Sequence, residues 1–149
     1  MVLEWDAKLE TGLGLIDDQH RELYRLVKLV LDPGTETRIE DTIKFLEDYV
    51  VRHFTDEEAL QVTSRYPGLP EHKEIHAGFI RTFIDLKTQL ALAESAEERE
   101  IAIQALNGAV VDWLGNHIMV HDRNFAEWFK APHEWLALEV LSMSPEGQG

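Results

Sequence analysis

Four apolar stripes with helical spacing constrain the fold of this chain more than any other feature of its sequence. In each stripe the positions recur at alternating steps of four and three residues, which places them on one face of an α-helix. The stripes are Ile16-His20-Leu23-Val27-Val30, Ile39-Ile43-Leu46-Val50-His53-Glu57-Leu60, His72-His76-Phe79-Phe83-Leu86-Leu90 and Ile103-Leu106-Val110-Trp113-His117-Val120. No alternating strand pattern competes with them over a useful length.

Short breaks separate the stripes and set the expected helix boundaries. The first helix is expected to begin near Asp17 or Asp18 and to stop at 32–34, and the second to begin near 35–37. No helix crosses 65–70, and Ser95 is a suitable cap for the fourth helix. The sequence therefore predicts an all-α fold, an antiparallel up-down-up-down four-helix bundle with an irregular N-terminal arm and a C-terminal helical extension. The expected division is a bundle domain over 1–122 and an extension with a tail over 123–149.

Composition limits both the chemistry and the partners. The chain has 149 residues, of which 44% are hydrophobic, and this suits one domain with a proper core. It has no cysteine, so a metal site must use imidazole and carboxylate ligands, which suit iron, zinc, manganese or copper. A net charge of −14 argues against nucleic acid or a membrane surface as a partner. Without a signal-like or membrane-spanning apolar run, the expected location is cytoplasmic.

Polar residues interrupt the apolar stripes at one level of the predicted bundle. His53 and Glu57, and likewise His72 and His76, are four residues apart and so share a helix face. The up-down topology brings these pairs to the same end as His20 and His117. A single histidine on such a stripe is usually a hydrogen-bonded core residue, but five imidazoles buried without partners would cost about 1–3 kcal/mol each.

A metal ion would remove that cost, and the histidine count indicates how many ions. Five histidines exceed the four ligands that zinc usually takes, so we expect two ions, for which iron or manganese fits better. Ferritin-like di-metal bundles instead use Glu-x-x-His pairs, and this spacing is missing from the stripes.

Several segments of the chain resemble the hemerythrin family, specifically the bacterial hemerythrins. The segments are Gly14-Leu15-Ile16-Asp17-Asp18-Gln19-His20-Arg21-Glu22-Leu23, Tyr49-Val50-Val51-Arg52-His53-Phe54-Thr55-Asp56-Glu57-Glu58, Tyr66-Pro67 with His72 and His76, and Trp113-Leu114-Gly115-Asn116-His117-Ile118 followed by Asp122. The resemblance runs from about Trp5 to Asp122. It implies seven metal ligands: His20, His53, Glu57, His72, His76, His117 and Asp122.

The resemblance also implies how these ligands are shared. Glu57, Asp122 and an oxo or hydroxo group would bridge two irons. One iron would take His72, His76 and His117, and the other His20 and His53, which leaves it an open position for dioxygen. An apolar pocket would surround that position, formed by Leu23, Phe54, Trp113, Leu114 and Ile118. A dry pocket fits the chemistry, because water and acids would displace or protonate the bound ligand.

The last ligand is the one point on which spacing and resemblance disagree. On an ideal helix Asp122 lies about 140° around from His117, whereas His121 lies only about 40° away. Spacing alone therefore favours His121. The family pattern favours Asp122, and a bridging anion also compensates two cations better. We expect Asp122 to be the ligand and His121 to lie outside the ligand set.

The expected function is reversible dioxygen binding by a carrier, store or delivery protein, not an enzyme. Two alternatives stay open: an oxygen- or redox-sensing domain that signals to a separate partner, and a di-iron peroxidase or oxidase. Against the enzyme, no inward acid is evident beyond the bridging pair. The extension carries many apolar residues between 123 and 142, which indicate either a helix packed on the bundle or a surface for self-association or a protein partner.

Overall fold

The structure, a computed structural model, describes residues 4–31 and 39–131. Four long helices are followed by a π-helical turn and a short fifth helix: α1 Gly14–Leu31, α2 Ile39–Thr63, α3 Leu69–Leu92, α4 Ala96–His117, the π turn Ile118–Asp122 and α5 Arg123–Lys130. A 3₁₀ turn at Ala7–Leu9 is the regular element of the described N-terminal arm. Within the described ranges there is no strand, and the all-α prediction is confirmed.

The four long helices form the predicted antiparallel bundle. Helix α1 packs along α2 and α3 along α4, while contacts of α1 with α4 and of α2 with α3 close the ring. The core runs the length of the bundle, with side chains such as Leu23, Leu46, Phe83 and Leu106 almost entirely buried. Short connections force each helix to run back beside its predecessor. No described helix is both long and apolar enough to cross a membrane.

Two of the predicted helix starts are confirmed and one is wrong. Helix α3 begins at Leu69 with Pro70 in its first turn, and the Ser95 hydroxyl accepts a hydrogen bond from the Glu98 N–H at 3.1 Å. Helix α1, however, begins at Gly14, before the predicted Asp17. The reason is that the buried Asp17 carboxylate binds the preceding arm, where it accepts hydrogen bonds from the backbone N–H groups of Thr11 and Gly12. The predicted end of α1 at 32–34 and start of α2 at 35–37 lie outside the described residues.

The predicted stripes face inward with one exception. Val120 is 43% exposed, so its placement on the inward stripe is wrong, and Ile118 and Asp122 are buried in its place. The π turn is the cause, because it holds an extra residue per turn and shifts the register. Near the end of α2, Leu60 is half-buried and its neighbour Gln61 takes the fully buried position.

Helix α5 lies against the bundle at the end where α2 and α3 meet. Its Phe125 side chain is buried, and the rings of Phe125 and Trp128 lie 5.0 and 5.3 Å from the ring of Tyr66. The described part of the C-terminal extension is therefore a helix packed on the bundle. Residues 132–149 lie outside the described residues, and the predicted contact surface over 123–142 stays a prediction.

Candidate metal centre

The seven predicted ligands form one buried cluster at the end of the bundle. Helix α1 contributes His20, α2 contributes two residues and α3 two more, while the end of α4 and the π turn contribute one each. None of the seven is more than 3% exposed: His20, His53, Glu57, His72, His76, His117 and Asp122. The short connection between α2 and α3 keeps the two pairs at one level, as the sequence indicated.

The potential donor atoms fall into two groups that share both carboxylates. One group contains His72, His76 and His117 together with Glu57 and Asp122, and its donor atoms all lie within 4.8 Å of one another. The other contains His20 and His53 with the same Glu57 and Asp122, within the same limit. The second group therefore offers one imidazole fewer than the first.

Asp122 reaches both groups because of the π turn. The Arg123 N–H bonds to the carbonyl of Ile118, five residues back, so a residue five positions after His117 returns to the inward face. The Asp122 carboxylate consequently lies 2.9 Å from His117 Nε2 and 2.8 Å from His20 Nε2. His121 is half-buried and belongs to neither donor group. Ideal helical spacing was thus the wrong guide at this position.

Many polar atoms in this cluster have no hydrogen-bond partner among the described residues. They include Nε2 of His20, His53 and His72, one oxygen of Glu57 and both oxygens of Asp122. Several of them are close together, such as His72 Nε2 and Asp122 Oδ1 at 3.2 Å, yet these six atoms make no hydrogen bond with proper geometry. Burying so many unsatisfied groups costs about 1–3 kcal/mol each. Lone pairs that converge without bonding one another fit a site for cations.

Comparisons with known proteins agree with this arrangement. The sequence profile described as the hemerythrin HHE cation binding domain matches residues 11–129. The chain belongs to the hemerythrin family. Membership of this family supports a dioxygen-binding protein of the di-iron kind. The match continues into α5, past the point at Asp122 where the resemblance was expected to stop.

Individual hemerythrins are related to the chain over most of its length. A bacteriohemerythrin of Pseudomonas paraeruginosa is 31% identical over 128 residues, which cover 84% of this chain and 80% of that protein. A bacteriohemerythrin of Stenotrophomonas maltophilia is 27% identical over 144 residues, covering 95% and 90%. A myohemerythrin of Theromyzon tessulatum is 31% identical over 116 residues, covering 77% and 83%.

The electrostatics of this hemerythrin site favour the neutral form of three imidazoles, since burial lowers the pKa of His53, His76 and His117. Burial, with the nearby His20, lowers the pKa of His53 to about 3, and burial with the nearby His117 lowers the pKa of His76 to about 2. Burial and the Asp122 carboxylate raise the pKa of Glu57 well above its usual value. Neutral imidazole is the form that binds metals, so His53 and His76 need no deprotonation near neutral pH.

His72 has the opposite shift. Although burial acts to lower its pKa, contacts with Asp122 and Glu57 raise it to about 9. The two acidic side chains therefore favour a proton on this histidine in the metal-free chain. Binding of a cation must displace that proton, because a cationic imidazole has no free lone pair.

The predicted pocket residues are placed around the cluster. Leu23, Phe54, Leu114 and Ile118 are at most 4% exposed, and the half-buried Trp113 packs against them. The Phe54 ring stacks on His76 with centroids 3.8 Å apart, and Trp113 stacks on His117 at 4.3 Å. Both stacked imidazoles belong to the three-histidine group, and the Phe54 ring also lies 5.8 Å from that of His53. The side chains form an apolar wall, and their role as a dioxygen pocket stays a prediction.

Sequence reasoning missed four polar residues at the cluster: three contact a ligand directly, and the fourth bonds one of these three. Gln19 and Glu58 lie against the outer ring nitrogens of His53 and His76, at 2.7 and 3.4 Å, and Asp56 bonds Gln19. Gln61 is fully buried, and its amide lies 3.5 Å from Glu57. Its spacing of four residues after Glu57 was a usable signal. The others lie beside a ligand in sequence, where helical spacing gives no inward signal.

Proposed function

We propose that this hemerythrin binds two iron ions through the seven clustered residues and binds dioxygen reversibly as a carrier, store or delivery protein. His72, His76 and His117 would hold one iron and His20 and His53 the other, with Glu57 and Asp122 as ligands to both. The observation that carries the proposal is the pair of donor groups that share two carboxylates and differ by one imidazole. The group with fewer donors leaves a position for an external ligand.

The donor set favours iron over zinc. Each group combines imidazole nitrogens with two carboxylates. The smaller group offers four donor residues and the larger offers five, which is more than the four ligands of a usual zinc site. Mixed nitrogen and oxygen ligands suit iron, and the shared carboxylates compensate the charge of two cations. When bound by these residues, a ferrous pair would supply the reversible two-electron chemistry that dioxygen binding requires.

The apolar side chains around the cluster support reversible binding over turnover. Leu23 and Ile118 are completely buried, and Phe54 and Leu114 nearly so. These side chains carry no proton that could be transferred, and as an apolar wall they would keep water away from the donor cluster. Glu58 is an acid that contacts an imidazole from outside, but it contacts the outer nitrogen of His76 and not the donor side.

Metal analysis and optical spectroscopy test the proposal. The purified chain, loaded anaerobically with ferrous iron, should retain two irons per chain. Admission of air should produce an absorption band that disappears on deoxygenation and returns over several cycles. A zinc-loaded sample is the matched control, because it occupies the same ligands without electrons to transfer.

Two results would contradict the proposal. Retention of a single metal per chain would exclude the shared pair of sites. Continuous consumption of reductant under air, with release of peroxide or water and no stable oxygenated spectrum, would instead indicate an oxidase or peroxidase.

A further inference from the structure

We propose that Gln19 and Asp56 act together as positioning residues that fix the ring of His53 and set its strength as a metal ligand. The proposal rests on the proposed function, because it concerns the histidine group with the open position. It assigns a role to a buried amide and a partly exposed carboxylate, neither of which belongs to the predicted ligands. The pair thus extends from the surface of α2 to the metal centre.

The geometry is a continuous line of hydrogen bonds. Gln19 Nε2 donates to Asp56 Oδ2 at 2.7 Å, and Gln19 Oε1 lies 2.7 Å from His53 Nδ1. Gln19 is only 6% exposed, and the Asp56 side chain is 39% exposed. The line joins α1 to α2 across the bundle, since Gln19 belongs to α1 and its two partners to α2.

The chemistry of the end groups decides the direction of every bond. A carboxylate only accepts, so the amide nitrogen of Gln19 must face Asp56. The amide oxygen then faces His53, and because it too only accepts, Nδ1 of His53 must carry the ring proton. The lone pair is thereby confined to Nε2, an atom with no hydrogen-bond partner among the described residues, which lies 3.4 Å from Oε2 of Glu57 in the cluster.

The other imidazoles of the cluster are held differently. Nδ1 of His20 and Nδ1 of His117 have no hydrogen-bond partner within the described ranges. Nδ1 of His76 faces the Glu58 carboxylate at the longer distance of 3.4 Å. His53 therefore has the shortest of these contacts, to a neutral amide and not to a carboxylate. A neutral acceptor withdraws less of the ring proton and leaves His53 a weaker donor to a ferric ion.

The first test removes the contact. Gln19→Leu keeps the volume and eliminates both hydrogen bonds, and we expect metal affinity in a chelator competition to fall about 10–100-fold, the usual scale for such outer contacts. Asp48→Asn is the control for the acidic end of the line, because Asp48 is an exposed acid on α2, the helix that carries Asp56. This control should bind metal as the wild type does.

The second test exchanges the amide and the carboxylate, so that the total charge of the two side chains does not change. In the double variant Gln19→Glu with Asp56→Asn, the new amide donates to the new carboxylate, which accepts from His53 Nδ1. We expect iron to be retained and the midpoint potential of the iron pair to fall, because a carboxylate strengthens the imidazole as a donor. The single Gln19→Glu change places two carboxylates next to each other, so the hydrogen bond between positions 19 and 56 should be lost.

A role limited to packing would leave the potential of the double variant unchanged, and that result would overturn the proposal. Unchanged metal affinity in Gln19→Leu would overturn it as well. The iron content of the wild-type protein separates this proposal from the proposed function, since failure to hold two irons refutes the proposed function alone. In that case the full chain loaded with zinc as a diamagnetic probe still tests the line. Its NMR spectrum should show a slowly exchanging His53 Nδ1 proton that Gln19→Leu abolishes.

Discussion

Replacement of Asp122 should cost far more iron than replacement of its neighbour His121. The two residues are adjacent in sequence, but only the Asp122 carboxylate belongs to the donor groups, and it belongs to both. Its oxygens lie 2.8 to 3.2 Å from the Nε2 atoms of His20, His117 and His72. Asp122→Ala therefore removes one shared donor and one of the two negative charges from the centre.

The electrostatic loss sets the expected magnitude. Two unit charges about 4 Å apart attract by ~4 kcal/mol at an effective dielectric constant of about 20. This energy corresponds to roughly a thousandfold in affinity. His121→Ala removes a half-buried ring outside both donor groups, and changes of about 0.5 kcal/mol, or roughly twofold, are usual for such positions. Asp122→Asn keeps an oxygen but loses the charge, so its iron affinity should lie between those of the two alanine variants.

Iron retained per chain after dialysis against graded concentrations of a chelator of known affinity is the appropriate assay. Circular dichroism of each variant checks that the bundle is intact, and the isosteric Asp122→Asn change guards against misfolding of the alanine variant. Full retention in Asp122→Ala together with loss in His121→Ala would refute the reasoning. It would mean that the π turn does not direct Asp122 to the metals.

Three further predictions concern the metal, the pocket and pH. Removal of iron should lower the melting temperature by on the order of 10 °C in calorimetry, because a ligand at a thousandfold its dissociation constant stabilises by about 4 kcal/mol; identical melting curves would contradict this. Ile118→Glu should keep the fold and both irons, yet shorten the lifetime of the oxygenated form and slow azide binding to the oxidised protein; both properties unchanged would place Ile118 outside the pocket. In the metal-free chain, burial holds the pKa values of His53 and His76 at about 3 and 2, below the ordinary 6.5. Below pH 6.5 the unfolded chain therefore binds more protons than the folded chain. Urea denaturation should show that the stability contributed by the two neutral histidines is complete above pH 6.5 and is lost as the pH falls below it.

Much of the fold and cluster could be predicted because long stripes of regular spacing report helical faces directly. His53 and Glu57 interrupt a stripe in regular α-helix, and the structure places both inward, next to His72 and His76 from the following helix. Such positions follow from periodicity and the up-down connection alone. The start of α1 did not, because Asp17 makes its bonds to the preceding arm and not to its own first turn.

The π turn marks the limit of periodicity as a guide. Up to His117 the steps of three and four hold, but the next inward residues are Ile118, Asp122 and Phe125, and Val120 faces outward. A change of helix type within five residues leaves no signature in the spacing of apolar residues. Asp122 was predicted from the resemblance, which carries the register of a known family, while spacing indicated His121.

The origin of the ligands on four helices gives a chain without cysteine an equivalent of covalent cross-links. Metal ions held at once by His20 and His53, by Glu57 and His72, and by His76 and His117 would close loops over 20–53, 57–72 and 76–117. Closing loops of this kind restricts the unfolded chain, as a disulfide does, and the restriction is reversible by chelation. No single helix could then separate from the bundle without giving up a ligand. Metal loading would thereby make the opening of one helix depend on the opening of all four.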